Sequence, residues 1–327
     1  MSQQTGALKT CRPPHNVSPR NVIKPVRPFL KWAGGKRQLL VSLRQFYPEC
    51  FGSYVEPFVG SGAVFFDLQD QGRLRESSAL LMDSSGDLIG CYLSVRDEVG
   101  KVIRNLKRLA TKHREDSVRC YYNVRDNRFN PQRQQIFNSG EPRATHYTPS
   151  LAAMLIYLNR TGYNGLFRIN AEGLFNVPIG RYTNPKICDA ENLRSVAAVL
   201  AGPLVEIRQG VFEEVLKLAR CGDFVYFDPP YAPRSRTALF TSYTAAGFSK
   251  KAQIRLQQVV IELALRGCYV MLSNSTVHEI RLLYDDNREA KNAGLKAYKV
   301  PARRSINSKG TARGDVYEYI VTNIQRQ

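Results

Sequence analysis

The 327-residue sequence predicts an α/β fold, an open and largely parallel sheet interrupted by a helical, strongly basic insertion. Three observations carry this expectation. Short apolar runs end abruptly in polar or glycine-rich turns near 59, at Asp83 and at Asp228, as buried strands feeding into helices do. The strand and helix alternation stops between about 92 and 186. It resumes afterwards and continues to the C-terminus.

Taken in order, Tyr54 to Val59 reads as a strand, followed by a glycine turn and an apolar helix beginning near Ala63. Leu80 to Met82 closes a second strand at Asp83, and Asp87 to Val99 has a helical pattern. Inside the insertion, helical patches fall at 101–110, 116–125 and 149–160, and then an extended piece turns at Gly165 and Gly173. The frame returns with a strand at Val205 to Ile207, a helix over 211–219 and the strand Phe224 to Phe227 that ends at Asp228. A helix over 250–266, a strand from Cys268 to Leu272 and final strands at 296–301 and 316–322 complete the pattern. No internal repeat is present.

Charge points to a polyanionic partner. The chain carries 47 Lys and Arg against 28 Asp and Glu, a net charge of +19, and from Lys101 to Lys186 the balance is 15 to 5, so about half of the excess lies in the insertion. The basic residues there alternate with Tyr121, Tyr122, Phe129, Tyr163, Phe167 and Tyr182, a mixture suited to phosphates and stacked bases. No apolar run approaches the roughly 20 residues that span a bilayer. The first 27 residues read as a basic, disordered tail without the apolar stretch of a secretory signal. Seven scattered cysteines without C-x-x-C spacing favour reduced thiols in the cytoplasm and offer no metal site.

The strongest motif is Asp223-Phe-Val-Tyr-Phe-Asp-Pro-Pro-Tyr231, which delivers Asp228 to the carboxyl edge of a sheet, where open α/β sheets bind ligands. An exocyclic amine is a poor nucleophile because its lone pair is conjugated into the ring. The Asp228 carboxylate and the Pro229 carbonyl can accept its hydrogens and localise that pair, while Tyr231 stacks on the base. A second motif, Glu56-Pro-Phe-Val-Gly60-Ser-Gly62, forms a tight strand-to-helix turn. Asp83 follows Gly60 at about the spacing of an acid that binds a ribose diol. Together they suggest an adenosine-containing cofactor. The segment Phe29 to Lys36 holds the single tryptophan, and its Gly35-Lys36 lacks the first glycine and the Ser or Thr of a nucleotide-binding P-loop.

These motifs, together with Tyr157 to Arg168 and Phe175 to Tyr182, occur in an order that closely resembles the Dam-type DNA adenine-N6 methyltransferases of the alpha class, over about 28–323. The resemblance implies a Rossmann-like S-adenosylmethionine-dependent methyltransferase sheet with an inserted, mainly helical target recognition domain. The expected division is 28–91 with 187–327 as the catalytic domain and 92–186 as the recognition domain. S-adenosyl-L-methionine would be the cofactor and double-stranded DNA the substrate, with GATC as the site. A monomer without metal is expected, with a cognate restriction endonuclease as one further partner.

By matching positions, Trp32, Lys36, Gly60, Gly62, Asp83 and Asp228 would bind the cofactor, and Asp228, Pro229 and Tyr231 would be catalytic. Lys31 and Arg168 would read base edges, where an arginine fork on a guanine contributes about 1 to 3 kcal/mol of discrimination. Tyr163 and Asn164 would wedge into the helix, with Leu166, Pro178 and Tyr182 completing the surface. Arg160, Asn170, Asn176 and Arg181 would hold phosphates.

The chain departs from the family pattern in two places. Ser84-Ser85-Gly86-Asp87 lacks the Asn usual two residues after the acid, and 131–148 looks like an insertion. Arg303 to Asn307 resembles a late family motif in a basic loop. Asp-Pro-Pro-Tyr chemistry suits any exocyclic amine, so an RNA adenine or cytosine-N4 methyltransferase stays open at this point. So does a nonenzymatic DNA-binding protein on the same scaffold.

Overall fold

The computed structural model describes residues 25–32, 36–137, 144–232, 248–302 and 317–327. The N-terminal tail up to residue 24, the glycines of the Phe29 to Lys36 segment, part of the 131–148 insertion and the Arg303 to Asn307 motif lie outside the described residues. Among the described residues, seven strands form one sheet: β1 Tyr54–Glu56, β2 Ala79–Asp83, β3 Val205–Gln209, β4 Phe224–Phe227, β5 Tyr269–Ser275, β6 Lys296–Pro301 and β7 Tyr317–Thr322. Their order is β3-β2-β1-β4-β5-β7-β6, parallel except for β7, which runs antiparallel between β5 and β6. The chain winds outward from β1 through β2 to β3, then returns to lay β4 against the other side of β1. A crevice therefore opens at the carboxyl ends of β1 and β4, the topological switch point at which such sheets take ligands.

The helices that matter for the site are α1 Leu40–Arg44, α2 Ala63–Asp70, α3 Gly86–Glu115, α4 Ser117–Val124, α5 Asn130–Phe137, α6 Pro149–Thr161, α7 Ala190–Leu200, α8 Val215–Leu218 and α9 Lys250–Leu265. Alternation of side chains along the strands feeds two cores. Tyr54, Phe224 and Tyr226 face one, and Val55, Val225 and Phe227 face the other, where Leu256, Val259 and Leu263 of α9 cover them. Phe224 to Phe227 are buried throughout, as a strand covered on both faces requires.

Several boundaries differ from the expectations for physical reasons. β1 stops at Glu56 because Pro57 removes the next backbone donor. The expected helices over 87–99 and 101–110 are one element, α3, with a non-helical Glu98 (φ −134°, ψ 37°) two residues before Gly100. The 211–219 helix divides into a 3-10 turn, Phe212–Glu214, and the single turn of α8. α6 begins where Pro149 follows Thr148, whose side chain accepts a hydrogen bond from Leu151 N at 3.2 Å. Frame and insertion share one apolar cluster, which joins Tyr54 and Phe224 to Tyr92, Tyr121, Tyr157 and Phe175. Among the described residues, Cys91, Cys120, Cys188, Cys221 and Cys268 are free thiols.

Candidate active site

The side of the crevice where the sequence predicts the cofactor is built from the ends of β1 and β2. Gly60 adopts φ +48°, a left-handed conformation that side chains disfavour, and a Cβ added there would lie 3.1 Å from Cδ1 of Trp32. Trp32 stacks on Phe167 of the insertion with ring centres 5.4 Å apart, so the floor of the turn and the insertion meet at this ring. Gly62 immediately precedes α2. Asp83 receives hydrogen bonds from Gly60 N at 3.2 Å and Ser85 N at 3.0 Å. Desolvation nonetheless pushes its carboxyl up to about 6, because those amides offset only part of the burial cost. Tyr92 in α3 donates to Gly60 O at 3.1 Å and fixes the turn from below. A desolvated acid at the end of β2 beside a glycine cradle fits a ribose diol.

The side that carries the predicted catalytic residues is built at the ends of β4 and β5. Asp228 Oδ1 accepts from Lys36 Nζ at 2.7 Å and from Ser273 Oγ at 3.0 Å, and Ser273 also contacts the Tyr226 hydroxyl at 3.0 Å. Burial raises the Asp228 carboxyl above the ordinary range even though the Lys36 ammonium pulls it back down. Lys36 Nζ lies 4.5 Å from the centre of the Tyr231 ring, and the Tyr231 hydroxyl donates to Glu318 Oε2 at 2.7 Å. The turn itself is held by Gln253 Nε2 on Pro230 O at 3.1 Å and by Ser275 Oγ on Ala232 O at 3.2 Å. Glu56 is buried at the end of β1, where it accepts from the Tyr54 hydroxyl at 2.9 Å. Burial drives its carboxyl well up, and the Asp228 charge adds to the shift.

The predicted DNA-binding residues from Tyr163 to Tyr182 gather on one ribbon, which folds back on itself through bridges at Gly162 with Ile179 and Ile169 with Phe175, while Arg160 lies in α6 and Lys31 comes from the N-terminal segment. Tyr163 is half exposed, and Asn164 takes φ +54° at the turn before Gly165. Gly165 is needed there, since a Cβ would meet the Lys31 side chain at 2.7 Å. Buried Asn159 ties the two together: it accepts from Lys31 N at 2.8 Å and donates to Lys31 O at 2.6 Å and Gly165 O at 2.8 Å. Lys31 Nζ sits 4.4 Å from the Tyr182 ring centre, and burial with the nearby Arg160 lowers its pKa. Arg168 Nε donates to Asn176 Oδ1 at 2.7 Å across the ribbon. Leu166 packs against the apolar cluster, while Pro178 and Arg181 are exposed.

Three of the four predicted phosphate ligands are engaged within the chain, Asn176 through its bond with Arg168. Arg160 Nη2 donates to Phe29 O at 2.8 Å, and Asn170 Oδ1 accepts from Leu174 N at 2.8 Å, which closes the far turn of the ribbon. Side chains of α4, α5 and the turn between them pin the ribbon backbone from beneath. Tyr121 and Arg125 donate to Val177 O at 3.0 and 3.1 Å, Asn130 to Phe175 O at 3.0 Å and Arg133 to Gly173 O at 2.6 Å. Arg133 also pairs with buried Asp87 at 2.8 Å, four residues beyond Asp83, and so connects the ribbon to the start of α3.

Comparison with known proteins decides the family. Residues 32–306 match the model of the D12 class N6 adenine-specific DNA methyltransferases. The chain belongs to that family. The methyltransferase is 39% identical to the Type II methyltransferase M1.LlaDCHI of Lactococcus lactis subsp. cremoris, over 94% of this chain and 99% of that one. It is 40% identical to the Type II methyltransferase M.MjaIII of Methanocaldococcus jannaschii, over 91% and 99% of the two chains. Identity to the DNA adenine methylase of Escherichia coli K12 is 34%, over 91% and 95%. Of the readings left open by the sequence, the family selects an enzyme acting on adenine in DNA over one acting on RNA or on cytosine. Among the described residues, no group of His, Cys, Asp or Glu could hold a metal ion and no helix is long and apolar enough to cross a membrane.

Ser273, Gln253, Ser275, Glu318, Asn159 and Tyr92 were not singled out from the methyltransferase sequence. A signal existed for three neighbours only: Ser273, Asn274 and Ser275 are polar residues that end an apolar strand and are fully buried at the ligand-binding edge.

Proposed function

We propose that the chain transfers the methyl group of S-adenosyl-L-methionine to N6 of an adenine turned out of double-stranded DNA, within GATC. One observation carries this reading. A nitrogen, Lys36 Nζ, lies 2.7 Å from the Asp228 carboxylate and against the face of the Tyr231 ring, the two partners that an exocyclic amine on a stacked base requires. Lys36 yields both to the incoming adenine and turns to the cofactor.

When bound, S-adenosyl-L-methionine supplies a sulfonium methyl that a nitrogen lone pair can attack. Asp83 takes the ribose hydroxyls, with Trp32, Gly60 and Gly62 as the floor. Asp228 and the Pro229 carbonyl accept the amino hydrogens, localise the N6 lone pair and hold it in line. Tyr231 repays part of the few kcal/mol spent in flipping the base. Residues 92–186 act as the target recognition domain, with Arg168 and Lys31 reading bases, Tyr163 and Asn164 filling the gap left by the adenine, and Asn176 and Arg181 on phosphates. The enzyme works as a monomer in the cytoplasm. The two relatives named Type II methyltransferases support a cognate restriction endonuclease beside it.

The test is sequencing-based mapping of methylated adenines in plasmid DNA from cells expressing the chain or its Asp228→Ala variant. Methylation confined to GATC and absent with the variant is expected. Modification at another motif overturns the assigned site, and none at all overturns the reaction.

A further inference from the structure

We propose that Glu318 is a positioning residue that sets the Tyr231 ring at the angle in which it stacks on the flipped base. The proposal rests on the reading of the site given above. Tyr231 follows two prolines at the end of β4, and its ring hangs on two rotatable bonds beyond the last hydrogen-bonded residue of the strand. A stacking wall is useful only if its plane is fixed before the base arrives, since ordering it afterwards costs binding energy.

Beside the bond between Ser273 and the phenol, three contacts from three different elements bear on this plane. Gln253 in α9 holds Pro230 O, and Ser275 in β5 holds Ala232 O, so the backbone is tied on both sides of Tyr231. Those two bonds leave the ring free to turn. Glu318 in β7 supplies the third, accepting from the phenol hydroxyl at 2.7 Å, a distance short enough for a charge-assisted bond. Register explains how it gets there. β7 is inserted antiparallel beside β5 with Glu318 paired to Ser275, so the two residues that grip the turn at 231 and 232 lie side by side on neighbouring strands. The Lys36 ammonium against the ring face shows that a group can sit there while the hydroxyl is held.

A purely structural glutamate would affect melting alone. The discriminating experiment is a double-mutant cycle with Glu318→Ala and Tyr231→Phe, which remove their shared hydrogen bond from opposite sides, Tyr231→Phe also losing the phenol's bond with Ser273. It reads single-turnover methylation together with the fluorescence of a duplex carrying 2-aminopurine at the adenine the wild type methylates. Each single variant is expected to lower the transfer rate and the flipped-base signal about tenfold, with cofactor affinity unchanged. The double variant should be no worse than Tyr231→Phe alone, and Glu318→Gln, whose amide oxygen can accept the phenol bond, should restore most of the Glu318→Ala loss. If Glu318→Ala does not fold, Tyr231→Phe and Glu318→Gln still decide. Rates within twofold of wild type for Glu318→Ala, or losses that multiply in the double variant, overturn the proposal. A wild type that methylates no DNA overturns the reading of the site and this inference with it.

Discussion

The carboxyl edge at β4 and the ribbon from 162 to 182 are organised in opposite ways. At the edge, the functional side chains are themselves bonded: Asp228 between Lys36 and Ser273, and Tyr231 to Glu318. On the ribbon the backbone is held through carbonyls 173, 175 and 177, and although Arg168 bonds Asn176 and Asn170 closes the far turn, Tyr163, Asn164, Pro178 and Arg181 remain exposed. Chemistry that depends on sub-ångström alignment is preorganised. On the proposed reading, recognition falls to exposed side chains on a fixed backbone.

The largest effect that could break this contrast is at Asp228. On the proposed mechanism Asp228→Ala removes an acceptor of the amino hydrogens and should lower single-turnover methyl transfer about a thousandfold, with DNA affinity by gel shift nearly unchanged. Next is Arg133, which secures the ribbon to Asp87. Arg133→Ala leaves a buried carboxylate without its ion pair and should cost about 3 kcal/mol in urea unfolding. A value near zero would mean that the ribbon is not held by the frame. Asp83→Ala should weaken cofactor binding by roughly 30-fold in calorimetry, the loss of hydrogen bonds to a charged acceptor. Arg168→Ala should relax discrimination at one base pair by about 2 kcal/mol, read by mapping methylated sites.

The smallest effect concerns pH. An Asp83 carboxyl near 6 must be ionised to accept ribose hydroxyls, so the cofactor dissociation constant should be flat above pH 6 and rise as pH falls below it. The limiting slope is about tenfold per pH unit. Asp228 is likewise raised by burial, so the acid limb of kcat/KM should lie above the range of an ordinary carboxylate.

Which parts of this were legible in the sequence follows from distance along the chain. β4 and Asp228 could be read because a buried run and its terminating prolines are contiguous, and Asp83 because its partner Gly60 is 23 residues away within one strand-helix-strand unit. The bonds that complete the site join residues much farther apart: Ser273 to Asp228 over 45, Glu318 to Tyr231 over 87 and Asn159 to Lys31 over 128. No local pattern reports such pairs, since they are created by strand order and by the insertion folding back on the frame. The length of α3 escaped for a different reason, because Gly100 reads as a breaker and yet the helix bends at Glu98 and continues.

The most direct test of the central claim uses purified protein, S-adenosyl-L-methionine labelled with deuterium in its methyl group, a GATC duplex and mass spectrometry of the digested nucleosides. The account requires labelled N6-methyldeoxyadenosine with the wild type and none with Asp228→Ala. Label on cytosine, or equal label with the two proteins, would contradict it.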